Sequence, residues 1–336
     1  MNAPVQERPR PSSSHDALAG LTRKIVIATL LGVAVFAGLS IYNDVTSLTE
    51  QLRAFQWSAF GLALLLSLIN YALRFLRFQY YLRCIAVKVP TLESALVFLA
   101  GFVMGVTPGK LGEVLKSLLL FERRQIPIAR TAPVVIAERL TDLLALVVLT
   151  ALGSLSFPNG APIALGAAAV VGTITLACAY RPLAETLIRV AARLPVIGRV
   201  APKLSEAYDS LSTMMRPTAL LGGTLLAVLS WGLECVGLYV IAHGFSGVTL
   251  GWQEAAFAYS ASTLAGALAM MPGGLGVTEV GMTSLLVELG EPHMLAATAT
   301  AITILVRLAT LWFAVVLGGL VLPLLRFVPV RAQSGG

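Results

Sequence analysis

The chain has 336 residues, 57% of them hydrophobic and only 12% charged, with a formal net charge of +7. A soluble domain carries about 25% charged residues, so this composition excludes one and points to a multi-pass membrane protein. Cys84, Cys178 and Cys235 have no metal-ligand spacing, which argues against zinc and structural disulfides, and the positive charge reads as a topology signal rather than a nucleic-acid surface.

Residues 1–24 are rich in Pro, Ser and charge and read as a disordered cytoplasmic tail. The apolar run 25–42 is longer than the apolar core of a cleaved signal peptide and reads as a retained first helix. Uninterrupted apolar runs follow at 57–76, 132–157, 163–180, 218–242 and 295–325. Backbone in lipid must satisfy its own hydrogen bonds, so these predict helices and an all-α polytopic fold. Two more runs are interrupted, 92–121 at Pro108-Gly109 and 252–289 at Pro272-Gly273-Gly274.

Positive charge marks cytoplasmic loops. Arg8, Arg10, Arg23 and Lys24 place the N-terminal tail inside, and Arg326 and Arg331 do the same for the tail 327–336. Arg83 with Lys88, Arg123 with Arg124 and Arg130, and the basic stretch 181–217 are inside as well. Stretches 157–162 and 243–251 contain no Lys or Arg and read as outside. Both flanks of 92–121 are then inside and both flanks of 252–289 outside. We read these runs as two re-entrant helical hairpins dipping from opposite faces, because each arm of about 15 residues is short for a span; paired short crossings are the alternative. Arg74 and Arg77, near a cytoplasmic helix end, read as anchors reaching lipid phosphates, with a role in the site as the alternative.

The halves resemble each other. "TPGKLGEVLKSLLL" has a counterpart in "MPGGLGVTEVGMTSLL", and each is followed by an intramembrane Arg-Leu, in "RLTDLLALVV" and "RLATLWFAVV". The helices preceding the two hairpins run in opposite senses, so the repeat, about 57–180 and 218–325, is inverted, a transporter architecture. The linker 181–217 carries Leu183, Leu187, Ala191 and Leu194 on one helical face, then Leu204, Tyr208, Leu211 and Met215; these predict helices lying on the cytoplasmic membrane surface.

Three constellations carry chemistry. Thr107 and Pro108 suit a helix start at mid-depth, with Gly109 and Gly112 for the turn and Lys110 and Lys116 adding charge. Free N–H groups there favour an anion. The second tip, Pro272, Gly273, Gly274 and Gly276, offers a similar start; that the glycines and prolines simply let the two tips pack together is the alternative. Glu138, Arg139 and Asp142 sit together inside a crossing within reach of Glu113, and Glu279 with Arg307 is the mirror-image pair. Ionisable groups within a span face a partner or a wet cavity, so structural ion pairing and a headgroup path both fit. Glu234 lies inside a span, to line the cavity or pair with an arginine of the other half. No nucleotide loop, nucleophile elbow or His-Glu motif is present.

"GFVMGVTPGKLGEVLKSLLL", "AERLTDLLAL", "MPGGLGVTE" and "VRLATLW" together resemble the transmembrane domain of lysylphosphatidylglycerol synthases, over about residues 24–325. The resemblance implies a flippase-like domain that moves an amphiphilic lipid between leaflets. It carries over onto Thr107, Pro108, Gly109, Gly112, Glu113, Glu138, Arg139, Asp142, Pro272, Gly273, Gly274, Gly276, Glu279 and Arg307. Lys116 stands where the family more often has Arg, and Phe78 where a Trp is common. The synthases also carry a soluble catalytic domain; the short tail after 325 leads us to expect a standalone, non-enzymatic member. The expected partners are membrane lipids bearing an anionic phosphate group, in the bacterial cytoplasmic membrane, with no cofactor. A membrane enzyme acting on a lipid phosphate and a non-transporting partner of a lipid-modifying enzyme are the rival readings.

Overall fold

The structure is a computed structural model that describes residues 45–107, 113–156, 160–191, 201–290 and 294–327. The expected helix at 25–42 and the first tip, 108–112, lie outside these residues. Every described element is helical: α1 (Val45–Ala54), α2 (Trp57–Cys84), α3 (Thr91–Ala100), α4 (Leu115–Arg124), α5 (Ile128–Gly153), α6 (Gly160–Ala179), α7 (Arg181–Ala191), α8 (Ala201–Met214), α9 (Pro217–His243), α10 (Trp252–Leu268), α11 (Val277–Leu289), α12 (Ala296–Arg307) and α13 (Phe313–Leu324). Among the described residues there is no strand.

Length and composition allow α2, α6, α9 and the continuous stretch Ala296–Leu324 to cross a membrane. The 28 residues of α2 span roughly 40 Å at 1.5 Å per residue, more than the ~30 Å hydrocarbon core. Its two faces divide in the sense expected in lipid. Leu62, Leu65, Leu68 and Leu76 are exposed, whereas Asn70, Arg74 and Arg77 are buried. These three recur at helical spacing and so share one inward face. Leu221, Leu225 and Leu229 of α9 and Val316, Leu320 and Leu324 of α13 extend the exposed apolar belt. Such a surface is costly in water and stable against acyl chains.

The packing crosses between halves. α2 lies along α9, α3 packs against α13, and α10 packs against α5. Two glycines permit the latter contacts. A Cβ on Gly318 would lie 2.7 Å from the Val103 nitrogen, and one on Gly153 would lie 2.6 Å from the Phe257 nitrogen. At the far ends of α3 and α4, Glu93 accepts hydrogen bonds from Arg123 at 2.9 Å and from Arg124. These bonds tie the start of α3 to the end of α4.

Two sequence expectations are corrected. Arg74 and Arg77 do not snorkel: Arg77 is 0% exposed and Arg74 8%, because their helix face turns into the bundle where carboxylates await. In the second linker helix the expected apolar face divides: Leu204 is exposed, but the C-terminal part is not free to face the membrane. Leu211, Met214 and Met215 are buried with Tyr81, Leu82 and Val134, which docks α8 onto α5. In α7, by contrast, Leu183, Leu187 and Val190 remain exposed.

Candidate functional site

A cavity of about 170 Å³ lies between the halves. Its charged lining comes from α2 (Arg74), the start of the α4 segment (Glu113), α5 (Arg139, Asp142), α9 (Glu234) and α12 (Arg307). Phe102, Leu143, Leu146, Met270, Met271 and Leu311 supply apolar wall. Water-like polarity and oily surface thus share one space.

The first-half charges form a connected network. Glu113 takes Lys116 Nζ and Arg139 Nη2, each at 3.2 Å. Lys116 also donates to Glu138 at 2.6 Å and lies over the Phe78 and Phe98 rings. Its stem fits only because position 101 is glycine: a Cβ there would come 2.7 Å from Lys116 Cγ. Arg139 reaches Asp142 at 3.0 Å, and Arg77 reaches the other Asp142 oxygen at 2.7 Å. Trp231 Nε1 donates to Asp142 at 2.8 Å, which ties α9 to α5. Of the partners expected for Arg139, Glu113 and Asp142 are taken, while Glu138 belongs to Lys116.

The second half repeats the theme at smaller scale. Arg307 Nε donates to Glu279 at 2.6 Å and Nη2 to the Gly273 carbonyl at 2.6 Å. Glu279 in turn accepts the Gly276 N–H at 2.7 Å, securing the start of α11. The tip is a 3-10 turn, Pro272–Gly274, with Gly273, Gly274 and Gly276 all at positive φ. Only glycine adopts these angles without strain. Glu279 is 0% exposed and sits behind Arg307, so the cavity meets the arginine and not the carboxylate.

Beyond Arg307 the helix widens into a π segment, Leu308–Trp312. Tyr71 of α2 donates to the Thr310 carbonyl there at 2.7 Å. Breaks of this kind gather at functional sites. Glu234 accepts from Tyr259 at 2.8 Å and from Asn70, so it joins α9, α10 and α2. At the first tip, Thr107 donates to the Met104 carbonyl at 2.7 Å, and the residues it was expected to cap lie outside the described ones. Pro108, Gly109, Lys110 and Gly112 fall there too.

The structure thus brings together Glu113, Lys116, Glu138, Arg139, Asp142, Glu234, Gly273, Gly274, Gly276, Glu279 and Arg307 in or directly behind one space. Sequence reasoning missed Arg74, Arg77, Asn70, Tyr71, Tyr259 and Trp231. The helical spacing of Asn70, Arg74 and Arg77 in an otherwise oily helix was the available signal.

Residues 26–318 match the profile of the lysylphosphatidylglycerol synthase TM region. The chain belongs to that family. The synthase-type TM region thereby covers both halves and the cavity between them. A UPF0104 membrane protein of Methanothermobacter thermautotrophicus is 33% identical over 96 residues, 29% of this chain and 28% of that protein. The family assignment and the apolar helices together make this a multi-pass helical membrane protein.

Proposed function

We propose that this protein moves an amphiphilic lipid or glycolipid between leaflets, handling the polar headgroup in the central cavity while the tails stay in the bilayer. The observation that carries the proposal is the cavity itself. Arg74, Glu113, Arg139, Asp142, Glu234 and Arg307 line it beside Phe102, Leu143, Met270 and Met271, within helices whose outer surface is apolar. Burying five of these ionisable side chains and half-burying Arg139 in such a bundle is costly, and it is met where a polar group must pass. The substrate in this reading is a phosphate-bearing membrane lipid, and no bond is made or broken.

The same proposal takes 92–121 and 252–289 as re-entrant hairpins from opposite faces and the two halves as inverted repeats. Three features support it. The first helix of each interrupted region packs on a helix that follows the interrupted region of the other half, α3 on α13 and α10 on α5. Each half pairs a hairpin glutamate with the arginine of its next helix, Glu113 with Arg139 and Glu279 with Arg307. The first arm comprises ten α-helical and four 3-10 residues, roughly 20–25 Å, short of a full crossing. Loop charges favour a cytoplasmic membrane with both termini inside.

The test is headgroup movement in proteoliposomes. Lipid labelled on its headgroup is loaded in both leaflets, and a membrane-impermeant reductant bleaches the outer one. Protein-containing vesicles are expected to lose the protected half far faster than empty vesicles. Equal rates in both would reject the proposal.

A further inference from the structure

We infer that Arg74 is the seat of an anionic headgroup oxygen, and that it gives the cavity its preference for phosphate-bearing amphiphiles over uncharged ones. The inference rests on the lipid-movement reading of the cavity and adds where, and with what selectivity, the headgroup is held. The other buried cations are engaged at close range: Arg77 with Asp142 at 2.7 Å, Lys116 with Glu138 at 2.6 Å and Arg307 with Glu279 at 2.6 Å. Arg139 holds Glu113 at 3.2 Å and Asp142 at 3.0 Å. Arg74 differs. Its Nη2 comes no nearer than 3.9 Å to Glu113. Its Nε, like those of Arg77 and Arg139, has no hydrogen-bond acceptor among the described residues, but Arg74 alone also lacks a carboxylate at close range. Glu113 meanwhile already receives Lys116 and Arg139.

Arg74 is held in place by other means. Its guanidinium lies over the Phe102 ring at 5.4 Å and the Trp231 ring at 5.9 Å. Ring faces attract a cation but do not accept its in-plane N–H groups, so a planar donor fork is retained for an acceptor. An arginine fork matches the oxygens of a phosphate or carboxylate, and a neutral hydroxyl-bearing headgroup matches it poorly. Two further donors among the cavity-lining residues lack an acceptor among the described residues, Arg139 Nε and Thr263 Oγ1. Among the lining's polar atoms without a hydrogen bond, donors outnumber the one acceptor, Asp142 Oδ2, which Arg139 faces at 3.0 Å; this favours an acceptor-rich anion. The position is new relative to the hairpin tips: Arg74 and Thr263 belong to the long helix α2 and to α10.

The experiment is equilibrium binding to the purified full chain in neutral detergent, with three probes: dioctanoyl phosphatidylglycerol, dioctanoylglycerol and inorganic phosphate. The parent is expected to bind the phospholipid about tenfold or more tightly than the uncharged lipid, the effect of one charge-assisted hydrogen-bond site. Arg74→Gln is expected to bring the two within about twofold, and Arg74→Lys to keep part of the preference. An unchanged preference in Arg74→Gln overturns the inference. So does a parent with no preference, a result independent of how any variant folds. Inorganic phosphate that fails to compete at millimolar concentration supports a lipid source; full competition by it overturns that source. Binding is read without transport, so selective binding in a protein that moves no lipid would reject the transport reading alone.

Discussion

Arg77 and Asp142 meet at 2.7 Å with the arginine fully shielded from solvent. Two charges in that position have already lost their hydration, and each now depends on the other. Arg77→Ala is expected to cost about 3–5 kcal/mol, because Asp142 then keeps only part of its compensation. Denaturant unfolding in mild detergent reads this directly; a loss below about 1 kcal/mol would mean that water reaches the pair. Glu113→Gln is a different case. The amide keeps the shape and an acceptor oxygen while removing the charge that Lys116 and Arg139 share. The expected result is a melting temperature close to the parent's with lipid translocation lost. Normal translocation in Glu113→Gln would make the carboxylate a structural element only. The Glu–Arg pairs were legible in the chain because a Pro-Gly break and a following Arg-Leu occur in both halves. Arg74 and Arg77 were not. An arginine near a helix end beside a basic loop reads the same whether it reaches outward to phosphates or inward to Asp142, and the deciding partner lies on a separate helix, α5.

At the scale of elements, the contacts that hold the halves together pass through glycine. Gly318 lets α13 approach the 3-10 turn after α3, and Gly153 lets α5 approach α10. A leucine at either site would press against backbone atoms, which cannot rotate away. Gly318→Leu and Gly153→Leu are each expected to destabilise by about 1–3 kcal/mol or more, as overpacking does, with detergent melting curves as the readout. A tolerated Gly318→Leu would mean that α3 and the turn after it move freely relative to α13. The interrupted helices were legible from Pro and Gly, whereas the docking of α8 was not. Its apolar residues Leu211, Met214 and Met215 suit a lipid surface or a protein groove equally. Only the complementary surface of Tyr81, Leu82 and Val134 selects the groove.

For the whole molecule, the separation of polar interior from apolar exterior follows from the solvent. Leucines at Leu62, Leu65 and Leu68 face outward while arginines of the same helix face inward, the reverse of a water-soluble helix. Orientation rests on loop charge alone and is open to direct measurement. Single cysteines beside Ser156 and Ser246 are expected to react with an impermeant maleimide added to intact cells, and those beside Arg124 and Ser205 are not. Labelling beside Arg124 from outside would remove the cytoplasmic entry of the first hairpin and the inversion with it. The account's central claim is that the cavity is the path of the headgroup, and filling that cavity tests it most directly. Ala267 lines the space and is exposed within it, so Ala267→Trp adds bulk there without displacing buried core. In reconstituted vesicles this variant is expected to melt like the parent and move headgroup-labelled lipid no faster than empty vesicles do. Parent-like translocation by a folded Ala267→Trp protein would contradict the account.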